Sequence, residues 1–297
     1  MPIKNSFSQL FCNFKLVGKI FLFILIIMLV ATAVLMSILS PVLEGYFHKM
    51  QEEAPISPEE FIKHPIKSLE RFFAFFTEFL QANSDMVSKR VVYIVIVVIA
   101  ARFLLLLPLF PVNKILHEKM TSGFDVGLFN AFVNTLAQNL LFNLVFSLIT
   151  GFVDLAIFTG IIYLTSALLK IIGVISLPIS LLIALALYSL RVTVFCQWLP
   201  EYFMNKPKNV FLALGAGLKT GFKQFRKNYI CIFVTFIIYF AIGASTLFTT
   251  FGLVPILLIP TIMVTHTSLC LILNYTYHKH KYFTDNGVTV YNPVKKY

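Results

Sequence analysis

Almost uncharged runs of about 20 residues, the length of helix that crosses a 30 Å hydrocarbon core, recur six times along the chain. They are Ile20–Leu43, Val91–Pro111, Leu140–Leu164, Leu177–Leu199, Tyr229–Phe251 and Val254–Tyr275. Inside lipid a helix satisfies its backbone polar groups from its own segment, so the pattern predicts six transmembrane helices. Continuous Leu, Ile, Phe and Val exclude the short alternating strands of a membrane β-barrel. Gly151 and Gly160 interrupt the third and longest run, which predicts a tilted or broken span. The first run passes a small-x-small site at Ala31-Thr32-Ala33 and stays apolar to Leu43, which reads as a retained span and not a cleaved leader.

The stretches between the runs predict interfacial helices. Over Pro207–Asn228, Leu214, Leu218, Phe222 and Phe225 share one helical stripe, with Lys219, Lys223, Arg226 and Lys227 beside it. Such a helix lies at the headgroup boundary with its cations toward anionic lipid, or serves as an elbow packed on the bundle. Residues 44–90 form an extracytoplasmic insertion. In it Ser57-Pro58-Glu59-Glu60 has the capping residue, first-turn proline and acids of a helix start. A second helix runs from about Ile66, with Leu69, Phe72, Phe73, Phe76 and Leu80 on one face, widened by Phe75 and Phe79, and Glu70, Arg71 and Glu78 off it. It caps the bundle, lies on the outer leaflet or docks a partner.

Sliding the chain on itself by 89 residues brings Arg102 onto Arg191, Pro111 onto Pro200, Lys119 onto Lys208 and Asn139 onto Asn228. A pattern of two apolar residues and an Asn leads each odd span: Phe7-Leu10-Asn13-Phe14, Val133-Leu136-Asn139-Leu140 and Phe222-Phe225-Asn228-Tyr229. The expected fold is an all-α, polytopic transmembrane helical bundle. Its six spans form three hairpin-like repeats with interfacial helices, in one integral domain over 1–297. The hairpins enter from the same side, as parallel repeats do.

Composition and charge sharpen this picture. The chain is 58% hydrophobic and 12% charged, against about 25% charged in soluble domains. That excludes a soluble, disordered or disulfide-scaffold protein. With both termini inside, the cytoplasmic segments carry 15 Lys/Arg and four acids, the outer ones seven and eight. The net charge of +11 is thus the positive-inside bias of a multi-pass protein of the cell (inner or plasma) membrane, with a basic cytoplasmic tail over 278–297, and not a nucleic-acid footprint. The four cysteines, Cys12, Cys196, Cys231 and Cys270, lie in or beside spans and contain no CxxC pair.

Charge at membrane depth is costly, which makes Arg102, Asp154 and Arg191 the chief candidates, with His266 in the sixth span. Each Arg lies nine residues before the proline that ends its span, roughly 14 Å from the cytoplasmic end, and Asp154 roughly 22 Å from the same side. Two arrangements fit. Asp154 neutralises one arginine and locks the bundle, or Arg102, Arg191 and His266 converge with Asp154 on a cavity for an anionic group. Small residues at Gly215-Ala216-Gly217 and Ala241-Ile242-Gly243-Ala244-Ser245 would admit close helix approach.

The sequence lacks HExxH, a GxSxG with partners, a Walker loop, GxGxxG and paired carboxylates in a span, so no catalytic residue, metal site or cofactor is expected. His278-Lys279-His280 reads as a solvated basic tail.

Arg191…Pro200-Glu201 followed by a basic linker and Gly217-Leu-Lys-Thr-Gly-Phe-Lys-Gln-Phe-Arg-Lys-Asn228 resembles a group of bacterial six-span membrane proteins of uncertain function. That group is related to the membrane domain attached to some glycerophosphodiester phosphodiesterases. The serine usual in that stretch is Thr220 or Gly221 here. The resemblance implies a fold and a membrane location, and it carries over no catalytic residue. The expected function is a non-enzymatic scaffold, accessory or envelope-maintenance role, acting through anionic membrane lipids or a membrane-protein partner. The alternative is a transporter or permease for a small anionic solute or lipid head group, using the intramembrane Arg and Asp.

Overall fold

The computed structural model describes residues 2–53, 68, 75, 78–79, 81–172, 176–204, 209–247, 249–250, 252–283 and 290–291. Among these the chain is all-α apart from one pair of two-residue strands. The helices are α1 (Pro2–Cys12), α2 (Phe14–Glu53), α3 (Ser84–Leu106), α4 (Leu109–Ser122), α5 (Leu128–Asn134), α6 (Leu136–Ile172), α7 (Ser176–Phe195), α8 (Trp198–Met204), α9 (Val210–Lys223), α10 (Phe225–Thr246) and α11 (Leu253–His278). The strands β1 (Tyr282–Phe283) and β2 (Val290–Tyr291) pair antiparallel, Tyr282 opposite Tyr291.

Six stretches are long and apolar enough to cross a membrane: Phe14–Glu52, Val87–Ser122, Leu136–Leu169, Ser176–Met204, Phe225–Thr246 and Val254–His278. The protein is a multi-pass membrane protein. Most of these helices outrun the uncharged windows, because helix ends follow caps and breaks while charge marks only where hydrocarbon ends. The predicted break at Gly151 and Gly160 is absent. α6 runs unbroken through both, and a Cβ at either would meet nothing within 4 Å. A helical glycine costs about 1 kcal/mol, which the surrounding apolar turns offset.

The breaks fall elsewhere, at a regular interval. The chain turns at Leu107–Pro108 between α3 and α4, and 89 residues later at Cys196–Gln197 between α7 and α8. A single non-helical residue, Thr135, separates α5 from α6, and 89 residues later Gln224 separates α9 from α10. Asn139 donates to the Leu107 carbonyl at 3.1 Å, and Asn228 approaches Cys196 Sγ at 3.7 Å, each pair 32 residues apart. Asn13 is itself the break between α1 and α2, and its side chain donates to the Gln9 carbonyl at 2.7 Å.

The chain packs as two compact units, Met1–Leu25 with Leu105–Tyr297, and Ile26–Leu104. In the larger unit α11 is the central helix: 56% of its apolar window is buried, against 6–22% in the other five. α1 lies along it, Ser268 donating to the Ser6 carbonyl at 3.3 Å. Beyond α11, Asn5 donates to the Tyr282 hydroxyl (3.1 Å) and Gln9 to the Phe283 carbonyl (2.9 Å), which ties the first helix to β1. Trp198 is buried and donates from Nε1 to the Val210 carbonyl at 3.0 Å. Its ring meets Phe142 and Phe146 at 5.1 and 5.6 Å between centroids. Trp198 thereby clamps α8, α9 and α6 around one aromatic core.

In the smaller unit Tyr46 packs between Phe75 and Phe79, at 5.7 and 5.6 Å, beside Val42, and Arg90 donates to the Ile38 carbonyl. Phe79 is buried and Glu78 exposed, as their predicted faces require. Ser57-Pro58-Glu59-Glu60, Ile66, Leu69, Glu70, Arg71, Phe72, Phe73, Phe76 and Leu80 of the two expected insertion helices lie outside the described residues.

Candidate functional site

α6 and α7 are antiparallel neighbours, and helix arithmetic sets two charges at one level. Asp154 lies 18 residues before the end of α6 and Arg191 15 residues into α7, roughly 27 and 23 Å from their connection. Arg191 reaches Asp154 twice, Nε to Oδ1 at 3.0 Å and Nη2 to Oδ2 at 3.1 Å. The second contact is a charge-assisted hydrogen bond, and the first is a close ion pair outside hydrogen-bond geometry. The guanidinium also sits 5.6 Å over the Phe146 ring, a cation–π contact. The two side chains are 15% and 16% exposed, so neither charge is left to hydrocarbon alone. Arg102 stands half-buried on α3, in the other unit.

Arg191 also borders a cavity of about 290 Å³ within the larger unit, whose wall includes His266, Asn113, Cys196, Cys270 and Phe146. His266 Nδ1 is 3.4 Å from Cys270 Sγ, and its ring packs on Phe236 at 5.7 Å. Asn113 is buried, and its side-chain oxygen has no hydrogen-bond partner among the described residues. Arg191, Asp154 and His266 are thus gathered, on α7, α6 and α11. The cavity wall is mostly aromatic and aliphatic.

A second polar cluster escaped the sequence. Glu201 on α8 is 1% exposed. Its Oε1 accepts from Thr220 (2.8 Å) and Asn274 (3.1 Å) and lies 2.9 Å from His278 Nε2. Asn274 also donates to Gln197 at 2.9 Å. One carboxylate therefore gathers α8, α9 and the end of α11. Its sequence signal was slight: a lone acid directly after a proline in a strongly basic segment. His278, expected in a solvated tail, is instead the last residue of α11 and a partner of this carboxylate. Removing the charge with Glu201→Gln should lower the unfolding free energy by about 1.5 kcal/mol, the scale of a hydrogen bond to a charged group, read as a fall in thermal midpoint.

The basic stretch divides at Gln224. Lys219 and Lys223 lie on α9, Arg226 and Lys227 on the first turn of α10, all exposed. The Leu214, Leu218, Phe222 and Phe225 stripe has two expected placements, headgroup boundary or packed elbow, and α9 does not use it for packing. α9 buries Val210, Ala213, Gly217, Thr220 and Gly221 instead, because small side chains let it approach α7 and α8 closely. Leu214 and Leu218 flank that face, while Phe211 and Phe222 point outward at 58% and 61% exposure.

Among the described residues no three His, Cys, Asp or Glu side chains gather as a metal site. Comparison with protein-family models, with curated proteins and with solved structures finds no match to this chain.

Proposed function

We propose that this chain is a non-enzymatic membrane protein with a scaffold, accessory or envelope-maintenance role, acting through lipid and protein partners. The observation that carries this reading is the Arg191–Asp154 ion pair, closed by one charged hydrogen bond. The charge that would otherwise await a substrate is engaged with a neighbouring helix, as in a bundle built for rigidity. The exposed surface of α9 agrees with it. Phe211 and Phe222 face outward beside Lys219 and Lys223, and this is the surface of a helix lying at the headgroup boundary against anionic lipid.

On this proposal the chain is a single integral domain with an extracytoplasmic insertion over 44–90 and both termini in the cytoplasm of a bacterial inner membrane. It stands close to the six-span group that its Arg191–Asn228 segment resembles. Its hairpins are related as repeats, a reading supported by helix breaks recurring at 89 residues and by the matched Asn139 and Asn228 contacts.

A second reading, transport of an anionic solute or head group, is favoured by one observation: Arg191 and His266 share a cavity wall with the Asn113 side-chain oxygen, which has no partner among the described residues. Native mass spectrometry of the protein in nanodiscs drawn from its own membrane separates the two. A stoichiometric protein partner is the expected result. A solitary chain holding one anionic ligand, lost on Arg191→Gln with folding intact, would overturn the accessory role in favour of transport.

A further inference from the structure

The elbow between α9 and α10 forms an open crevice of about 550 Å³ walled by Lys223, Gln224, Arg226, Lys227, Ile230 and Cys231. Its three cations lie within five residues, and two of them occupy the first turn of α10, where the helix dipole already presents partial positive charge. None of the three makes an ion pair or hydrogen bond with a described residue. The Gln224 side-chain nitrogen is buried with no acceptor among the described residues. Donors and positive charge thus accumulate at one place, with no acidic side chain among the described residues that wall it.

Below the cations the same sector of α10 turns apolar. Ile230, Val234 and Ile237 follow at helical spacing, 51%, 37% and 40% exposed. A ladder of near-parallel rings, Phe225, Tyr229 and Phe233, borders that sector, with centroids 6.0 and 5.7 Å apart. A soluble anion has no use for the apolar track, and a neutral lipid none for the cations.

We propose that this crevice holds one anionic phospholipid of the surrounding bilayer, its phosphate among Lys223, Arg226 and Lys227 and an acyl chain along Ile230, Val234 and Ile237. The inference rests on the interfacial placement of α9 proposed above. It goes further by assigning a discrete site where that placement requires only a diffuse basic surface. Each cation near the membrane surface contributes a factor of about five in affinity, so loss of all three should weaken retention roughly a hundredfold.

The test is native mass spectrometry of the full chain released from nanodiscs containing equal phosphatidylglycerol and phosphatidylcholine. One retained phosphatidylglycerol per chain is expected. It should be lost in K223Q/R226Q/K227Q, whose side chains are all exposed, and kept in the charge-matched control K4Q/K15Q/K19Q. Retention by the first variant, or loss from both, would overturn the site. So would displacement by excess glycerol phosphate, which would mark a site for a free anion.

A separate probe, F222W in nanodiscs with brominated acyl chains, reads the placement of α9, since Trp198 is buried in the protein core. Quenching independent of head group supports the interface. Quenching without a retained lipid overturns the site and leaves the interface standing. Absence of quenching would overturn the interface and, with it, the site.

Discussion

Replacing Arg191 by Gln should cost about 3–5 kcal/mol of folding free energy, because it leaves the Asp154 carboxylate at membrane depth with its ion-pair partner gone. The amide cannot reproduce a charged hydrogen bond and a close ion pair, and the cation–π contact with Phe146 disappears with the guanidinium. Asp154→Asn should cost a similar amount from the other side. The double variant Arg191→Leu/Asp154→Leu should recover most of the loss, since a pair of leucines removes both desolvated charges together. The measurement is the yield and thermal midpoint of detergent-extracted protein, followed by size-exclusion chromatography. A double variant no better than either single one would show that the pair is not what joins α6 to α7. Single variants that stay folded but lose a bound anion would shift the balance to transport.

The partnership of these two charges was legible in part. Three charges inside otherwise apolar runs stand out in any sequence, and rise per residue placed Asp154 within an arginine's reach of one of them. That Asp154 meets Arg191 was not legible, because Arg102 and Arg191 occupy equivalent places nine residues before a proline. The six spans were legible because lipid imposes both length and polarity on a helix. Their ends were less so: Pro108, Thr135 and Gln224 set the breaks, and only Pro108 announces itself chemically. Glu201 was missed as a site because burial of an acid depends on donors from Thr220, Asn274 and His278, up to 77 residues away. The packed face of α9 was not legible for a related reason. Hydrophobic periodicity finds the large apolar side chains, and in a membrane protein those can face lipid while the small ones face protein.

That inversion gives Gly217 its weight. A Cβ built there would lie 2.7 Å from Trp198 Cα, 2.8 Å from its backbone nitrogen and 2.9 Å from the Gln197 carbonyl carbon. These are backbone atoms, so no rotamer change relieves the overlap. Trp198 has little freedom to retreat, since its indole donates to Val210 and its ring is wedged against Phe142 and Phe146. Gly217→Ala should therefore push α9 away from α8 and cost about 3 kcal/mol, the upper end of overpacking penalties. The displacement should also stretch the Thr220 hydroxyl away from Glu201, one turn further along α9. Gly215 is the matched control. It is exposed, a Cβ there meets nothing within 4 Å, and Gly215→Ala should be neutral or stabilising by up to about 1 kcal/mol through helix propensity. The two thermal midpoints, measured side by side, decide the matter. Equal behaviour of the two alanines would mean that α9 does not dock on α8 through its glycine face, while loss confined to Gly217→Ala would place the Gly217–Gly221 edge at the seam between the basic elbow and the bundle.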